Sequence, residues 1–130
     1  DMFQELLGVL PGVGFQAVRP GNRSSYKDFS VTIAEEAFGL SRDELALALQ
    51  AENIDTRKYY EPPVHRQSAY RQFYSGQPLP NTEMLAANSL SFPMWSNMEP
   101  EIISGICEAV QRIYQNRSAV RNSLLQKAPA

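Results

Sequence analysis

Tyr26-Lys27-Asp28-Phe29-Ser30-Val31-Thr32-Ile33-Ala34, followed shortly by Leu40-Ser41-Arg42-Asp43-Glu44-Leu45, decides the fold class of this chain. In the first stretch Phe29, Val31 and Ile33 alternate with Asp28, Ser30 and Thr32, a period of two that makes one strand face apolar and the other polar. That pattern belongs to a sheet covered on one side. In the second, Ser41 and Glu44 have the S-x-x-E spacing of a capping box, and Leu40 and Leu45 take the two positions of a hydrophobic staple. Leu45, Ala48 and Leu49 then supply the buried stripe of a helix running to about Glu52. Asn53, which tolerates positive φ, is placed to end it, with Ile54 folding back on its last turn.

Toward the N-terminus, Met2, Phe3, Leu6 and Leu7 have the spacing of one helix face, stopped by Gly8 and Pro11. A helix of so few turns is marginal alone, so it reads as the end of a longer helix that has been cut. Val13 to Val18 is a short strand and Arg19 to Ser25 a loop. Beyond the capped helix, Ile54 to Tyr60 reads as extended, and Pro62-Pro63 excludes a helix there. Short helices are predicted around Gln67 to Tyr74 and from Thr82 to about Asn88, with a brief strand over Leu90 to Met94. Pro100 suits a first helical turn, and Ile102, Ile103, Ile106, Val110 and Ile113 continue at helical spacing. Residues 117–130 either extend that helix or fray. Together these elements predict an α/β fold of the α+β type, a small and mostly antiparallel sheet with helices packed on one face.

The 130 residues suffice for one domain; 43% are apolar and 20% charged, a globular composition. The net charge of −2 argues against a general nucleic-acid or anionic-membrane binder. No apolar run approaches the roughly 18 residues of a membrane span, and no secretory leader is seen; the expected compartment is the cytoplasm. One cysteine, Cys107, and one histidine, His65, exclude an internal disulfide and an ordinary zinc cluster. Cys107 falls on the apolar stripe of the last helix and reads as a core residue.

The chemistry concentrates in the segment from Arg57 to Tyr74. Five of the thirteen aromatic residues lie between positions 59 and 74, where uniform spacing puts about two. Four basic residues (Arg57, Lys58, Arg66, Arg71) face one acidic one (Glu61), a formal +3 that leaves −5 for the remainder. A basic, aromatic, proline-stiffened loop suits a planar or sugar ring beside an anionic group, and the arginine fork matches two phosphate oxygens at once. The competing reading is edge packing of the rings and a hydrogen-bonded structural role for His65. The G-x-G-x-x-G, G-x-x-x-x-G-K-[ST] and G-x-S-x-G motifs are absent. None of Lys27, Lys58 and Lys127 has an evident setting for Schiff-base activation.

Five consecutive motifs carry a resemblance. Ser41-Arg42-Asp43-Glu44-Leu45, Asn53-Ile54-Asp55-Thr56-Arg57-Lys58-Tyr59-Tyr60, Pro62-Pro63-Val64-His65-Arg66-Gln67 with Ala69-Tyr70, Leu79-Pro80-Asn81-Thr82-Glu83, and Leu90-Ser91-Phe92-Pro93-Met94 stand in the order and spacing of the DegT/StrS sugar aminotransferases. Singly each is weak; in order they are specific, and they span about Pro11 to Gln115.

The resemblance implies the C-terminal small domain of a pyridoxal-phosphate enzyme with the aspartate-aminotransferase fold, about three times longer than this chain. Residues 1–10 would end a truncated interdomain helix, 11–116 would form the domain, and 117–130 a helical extension or tail. The implied parent, expected to be a homodimer, moves an amino group from an amino-acid donor to a nucleotide-linked keto sugar. Its Schiff-base lysine and cofactor-binding segments have no counterpart here, so no catalytic or cofactor-binding residue is expected in this chain, which should be inactive alone. The family's motif places His65 near the sugar nucleotide, and Arg57, Tyr59 and Tyr60 where the small domain closes over substrate. A free-standing, non-catalytic module that binds a sugar nucleotide or pairs with an aminotransferase subunit is the alternative. An unrelated enzyme using His65 as general base ranks behind both, and the family's cofactor-dependent dehydratases share the domain.

Overall fold

The computed structural model describes residues 2–127. Strands β1 (Val13–Phe15), β2 (Phe29–Ile33) and β3 (Ser89–Phe92) form an antiparallel sheet in the order β1-β2-β3. Val13 pairs with Ile33 across β1 and β2, while Phe29 pairs with Phe92 and Val31 with Leu90 across β2 and β3. This register gathers Phe29, Val31, Ile33, Leu90 and Phe92, all buried, on one face. On the other, the Ser30 and Ser91 hydroxyls meet at 2.6 Å. The alternation expected over residues 26–34 is therefore present, with pairing confined to Phe29–Ile33. Tyr26 takes φ +44°, outside the extended region. The first strand likewise ends at Phe15 rather than Val18.

Six α-helices are seen among the described residues: α1 (Met2–Leu7), α2 (Glu35–Phe38), α3 (Arg42–Ala51), α4 (Pro80–Asn88), α5 (Pro100–Gln115) and α6 (Arg117–Lys127). Helix α1 packs on α5, and its Phe3 ring stacks on Phe29 at 4.7 Å and on Phe92 at 5.8 Å. Leu45 and Leu49 of α3 join Ile106, Val110 and Ile113 of α5 in the same core cluster. Cys107 is buried there, and burial pushes its thiol up to about 11.

Both hydrogen bonds of the capping box form: the Ser41 N–H donates to Glu44 Oε2 at 2.7 Å and the Glu44 N–H to Ser41 Oγ at 3.2 Å. Asn53, at φ +60°, ends α3, with the Ile54 N–H bonded back to the Leu49 carbonyl at 2.9 Å. The turn before β1 requires Gly12, at φ +80°, since a Cβ there would lie 2.6 Å from the Phe38 nitrogen.

Several elements depart from the sequence reading. Helix α2 has no counterpart in it; its single turn is anchored by one residue, Phe38, so it carries no repeat to detect. The helix expected at Gln67–Tyr74 is replaced by 3₁₀ turns at Val64–Arg66 and Arg71–Phe73, because Tyr70 and Phe73 meet no core and remain exposed. Ile102 is exposed too, although it is in register with the inward stripe of Ile106, Val110 and Ile113, because it lies in the first turn of α5, beyond the core those residues reach. Helix α6 follows a break at Asn116, whose side chain donates to the Arg112 carbonyl. Residues 128–130 of the expected tail lie outside the described residues. No helix among those described is long and apolar enough to cross a membrane.

Candidate functional site

The segment leaving α3 is fastened before it reaches the aromatic cluster. Arg57 and Ser91 exchange backbone hydrogen bonds at 3.0 and 2.8 Å, so Arg57 adds an antiparallel bridge beside β3. Arg42, only 3% exposed, donates through Nη1 to the Ala86 and Ser89 carbonyls at 3.0 Å each and through Nη2 to Glu61 at 3.2 Å. Its Nε lies 2.6 Å from Asp43 Oδ1, a charge contact without hydrogen-bond alignment. Lys58 Nζ reaches the same carboxylate at 2.5 Å. Burial pushes Asp43 up, but the Lys58 hydrogen bond and the Arg42 charge outweigh it and hold the carboxyl below its ordinary range. Arg42 and Asp43 thus tie α3, the α4–β3 junction and the loop together, and Lys58 is spent on that clamp.

Three of the four predicted site residues line two open grooves. Arg57 and Tyr59 line the first, of about 290 Å³, together with Asp28, Asp55 and Trp95. The Arg57 guanidinium sits 2.9 Å from Asp55. Tyr60 lies outside both grooves, its ring 5.3 Å from that of Tyr59. His65 lines the second, of about 380 Å³, whose walls of Tyr70, Phe73, Tyr74 and Leu79 are mainly apolar. Arg57, Tyr59 and Tyr60 are all exposed at the surface rather than sunk in the core.

His65 is held more firmly than the sequence suggested. Its Nε2 stands 2.6 Å from Glu83 Oε1, which also accepts from Arg66 Nε at 2.9 Å, and its ring rests 4.7 Å from that of Tyr74. A carboxylate only accepts, so this partner assigns a proton to Nε2 and leaves Nδ1 without a partner among the described residues. Glu83 stands 18 positions beyond His65, and the turn of the chain brings it in. No hydroxyl or thiol among the described residues is hydrogen-bonded to the imidazole.

Asp28, Trp95, Glu83 and Arg42 were missed as site or supporting residues. Asp28 stood in plain view on the polar side of the strand pattern, and Trp95 is the only tryptophan. Nothing local marks Glu83 or Arg42; apart from the contact of Arg42 with its neighbour Asp43, their partners are brought in by the fold.

The model of the DegT/DnrJ/EryC1/StrS aminotransferase family matches residues 1–111. This chain belongs to that family. It is 30% identical over 108 residues to dTDP-4-amino-4,6-dideoxy-D-glucose transaminase of Escherichia coli, covering 79% of this chain and 28% of that protein. Among solved structures it resembles a DegT/DnrJ/EryC1/StrS aminotransferase from Brucella abortus (TM-score 0.72, 30% identity, 86% of this chain and 28% of that one). It also resembles DesI, solved in the presence of its TDP-sugar product (TM-score 0.80, 28% identity, 94% and 31%). The chain therefore spans under a third of the length of these aminotransferases.

Aminotransferases of this family use pyridoxal phosphate, and the described residues of this member do not fit that group. A fit requires an unengaged lysine and a cradle of donors for the phosphate. Lys27 is 90% exposed beside Asp28, Lys58 is paired with Asp43, and the Lys127 side chain lies outside the described residues. The N-terminus of α3 is already closed by its own capping box. No group of His, Cys, Asp and Glu residues able to hold a metal ion occurs among the described residues.

Proposed function

We propose that this chain is the C-terminal small domain of a pyridoxal-phosphate-dependent aminotransferase that acts on a nucleotide-linked keto sugar in amino-sugar biosynthesis. Residues 1–10 are the end of an interdomain helix, 11–116 the domain, and 117–130 a helical extension or tail. Arg57, Tyr59, Tyr60 and His65 contribute to binding the sugar nucleotide. The cofactor, the amino-acid donor site and the homodimer belong to the cytoplasmic parent, and this chain alone does not transaminate. The observation that carries the reading is the Arg57–Tyr74 loop: Tyr59, Tyr60, Tyr70 and Phe73 are exposed, and Arg42 ties the loop at Glu61 onto a closed core. The names of the Escherichia coli relative and of DesI, both concerned with dTDP- or TDP-linked sugars, support the substrate class.

The test uses the full reading frame. The long protein is expected to show cofactor absorbance and to transaminate a nucleotide-linked keto sugar, and the 130-residue chain to do neither. In the long protein, His65→Ala raises KM for the sugar nucleotide about tenfold, the worth of one hydrogen bond, with cofactor absorbance unchanged. Loss of the cofactor with sugar affinity intact would refute the role given to His65. The self-contained core favours one other reading, a free-standing non-catalytic module. A reading frame no longer than this chain, with calorimetric heat from nucleotide sugars, would establish that instead.

A further inference from the structure

We infer that Glu83 is a positioning residue: it fixes His65 as the Nε2–H tautomer, so that the imidazole offers the second groove an acceptor, the Nδ1 lone pair. His65 then takes an N–H or O–H group of the ligand rather than a phosphate oxygen. The inference deepens the proposed function, on which it rests for the identity of that ligand. His65 Nε2 and Glu83 Oε1 stand 2.6 Å apart, a short contact to an oxygen that can only accept. The pair is sheltered, with the His65 side chain 10% and the Glu83 side chain 33% exposed. Where water competes so little, a hydrogen bond to a charged acceptor governs which ring nitrogen carries the proton. Arg66 Nε donates to the same Glu83 oxygen at 2.9 Å. The carboxylate is thus already paired with a guanidinium, and it asks the ring for a hydrogen bond rather than a second positive charge.

The rest of the groove leaves that lone pair to a ligand. The Tyr74 ring lies 4.7 Å from the imidazole, and its hydroxyl donates to the Gln77 carbonyl, so the ring beside His65 is itself tied down. Val64, Phe73 and Leu79 bring no polar side-chain atom to the lining. Among the described residues, the buried side-chain nitrogen or oxygen without a partner is Arg42 Nε; the unpartnered Nδ1 is therefore not sealed inside, and the ring that carries it lines the groove. A nitrogen with a lone pair and no proton accepts from an N–H or O–H and repels the lone pairs of a phosphate or carboxylate oxygen. With the proton on Nδ1 instead, His65 would donate and would favour an anion. Glu83, which touches no ligand in this scheme, decides which part of one His65 can meet.

His65 is the only histidine, so nitrogen-15 labelling of the 130-residue chain gives one pair of ring signals. At about pH 8, above the ordinary range of imidazole protonation, they are expected to show a protonated Nε2, shielded from exchange, and a bare Nδ1. Glu83→Ala should expose that proton to exchange and let the tautomers mix, and Glu83→Gln, which keeps an acceptor oxygen, should restore it. In the long protein, Glu83→Ala should raise KM for the sugar nucleotide about as much as His65→Ala does, about tenfold, with kcat and cofactor absorbance unchanged. The double variant should raise it no further, whereas a merely structural role would add its own effect. A proton on Nδ1, protons on both nitrogens, an Nε2 proton still shielded in Glu83→Ala, or additive KM effects overturns the assignment. If any of these is found in a long protein that transaminates a nucleotide sugar, the proposed function stands and the role of Glu83 alone falls. Ring signals as expected, with no transamination by the long protein, would remove the proposed function and leave His65 held by Glu83 as an acceptor.

Discussion

Arg42 occupies the first position of a helix, where side chains normally meet water, yet it is 3% exposed. A guanidinium is tolerated in such a place only when its N–H groups and its charge are answered. Here the answers come from the Ala86 and Ser89 carbonyls, Glu61 and Asp43. Arg42→Met keeps much of the volume and removes every donor. Two carbonyls at the α4–β3 junction and one carboxylate then lose their partner, at a cost of about 3 kcal/mol. Urea unfolding is expected to show that loss, and Arg42→Lys, which restores the charge without the fork, should recover only part of it. A change below about 0.5 kcal/mol in the methionine variant would mean that the clamp is ornamental.

Among the elements, α3 and α6 are joined through one carboxylate. Glu44 closes the capping box of α3 and also accepts from Arg121 of α6, at 2.9 Å from Nε and 2.8 Å from Nη2, while Arg121 reaches Glu35 at 2.7 Å. The Arg121 hydrogen bond, helped by those from Ser41 and opposed by burial, holds the Glu44 carboxyl down at about 2. A pKa depressed in the folded state stabilises the fold above the unfolded value of about 4.5 and loses that contribution as pH falls toward about 2. Stability is therefore expected to decline with acidification across that window, and Glu44→Gln to flatten its share of the slope while costing about 1 kcal/mol at neutral pH. Urea midpoints measured at several pH values in both proteins check this; parallel slopes would contradict it. The same carboxylate shows what a sequence can disclose. Ser41 and Glu44 are three apart, so the cap is legible by inspection, whereas Arg121 stands 77 positions from Glu44 and leaves no local trace. The site divides in the same way. Crowding of rings and cations marked the segment from Arg57 to Tyr74, and the family resemblance singled out Arg57, Tyr59, Tyr60 and His65 within it, but the meeting of His65 with Glu83, and of Arg57 with Asp28 and Trp95, is made by the fold. Likewise β2 was readable from its alternation, while the 3₁₀ turns after Pro63 replaced a helix because nothing apolar lay beneath them.

For the molecule as a whole, the decisive contact is that of α1 with the sheet. Phe3 lies between Phe29 and Phe92, Leu7 is fully buried, and Gln111 of α5 donates to the Leu6 carbonyl at 2.9 Å. Through Phe3 and Leu7 the core holds α1, and the core is closed because α1 covers it. Phe3→Ala opens a cavity against two rings at a cost of about 3–4 kcal/mol. That is a large share of the total stability of a small domain, about 5–15 kcal/mol, and corresponds to a thermal midpoint lower by about 10–15 °C. Leu125→Ala, at a position 67% exposed on α6, should change the midpoint by little and serves as the control. The consequence reaches the grooves, because Phe92 forms part of the first one as well as stacking on Phe3. In Phe3→Ala the Arg57 and Ser91 amides, paired across the floor of that groove, should lose hydrogen-exchange protection along with the core. Protection retained at those two amides while the core exchanges faster would show that the groove is held by the Arg42 clamp independently of α1. Loss at both, in step with global unfolding, is the expected result.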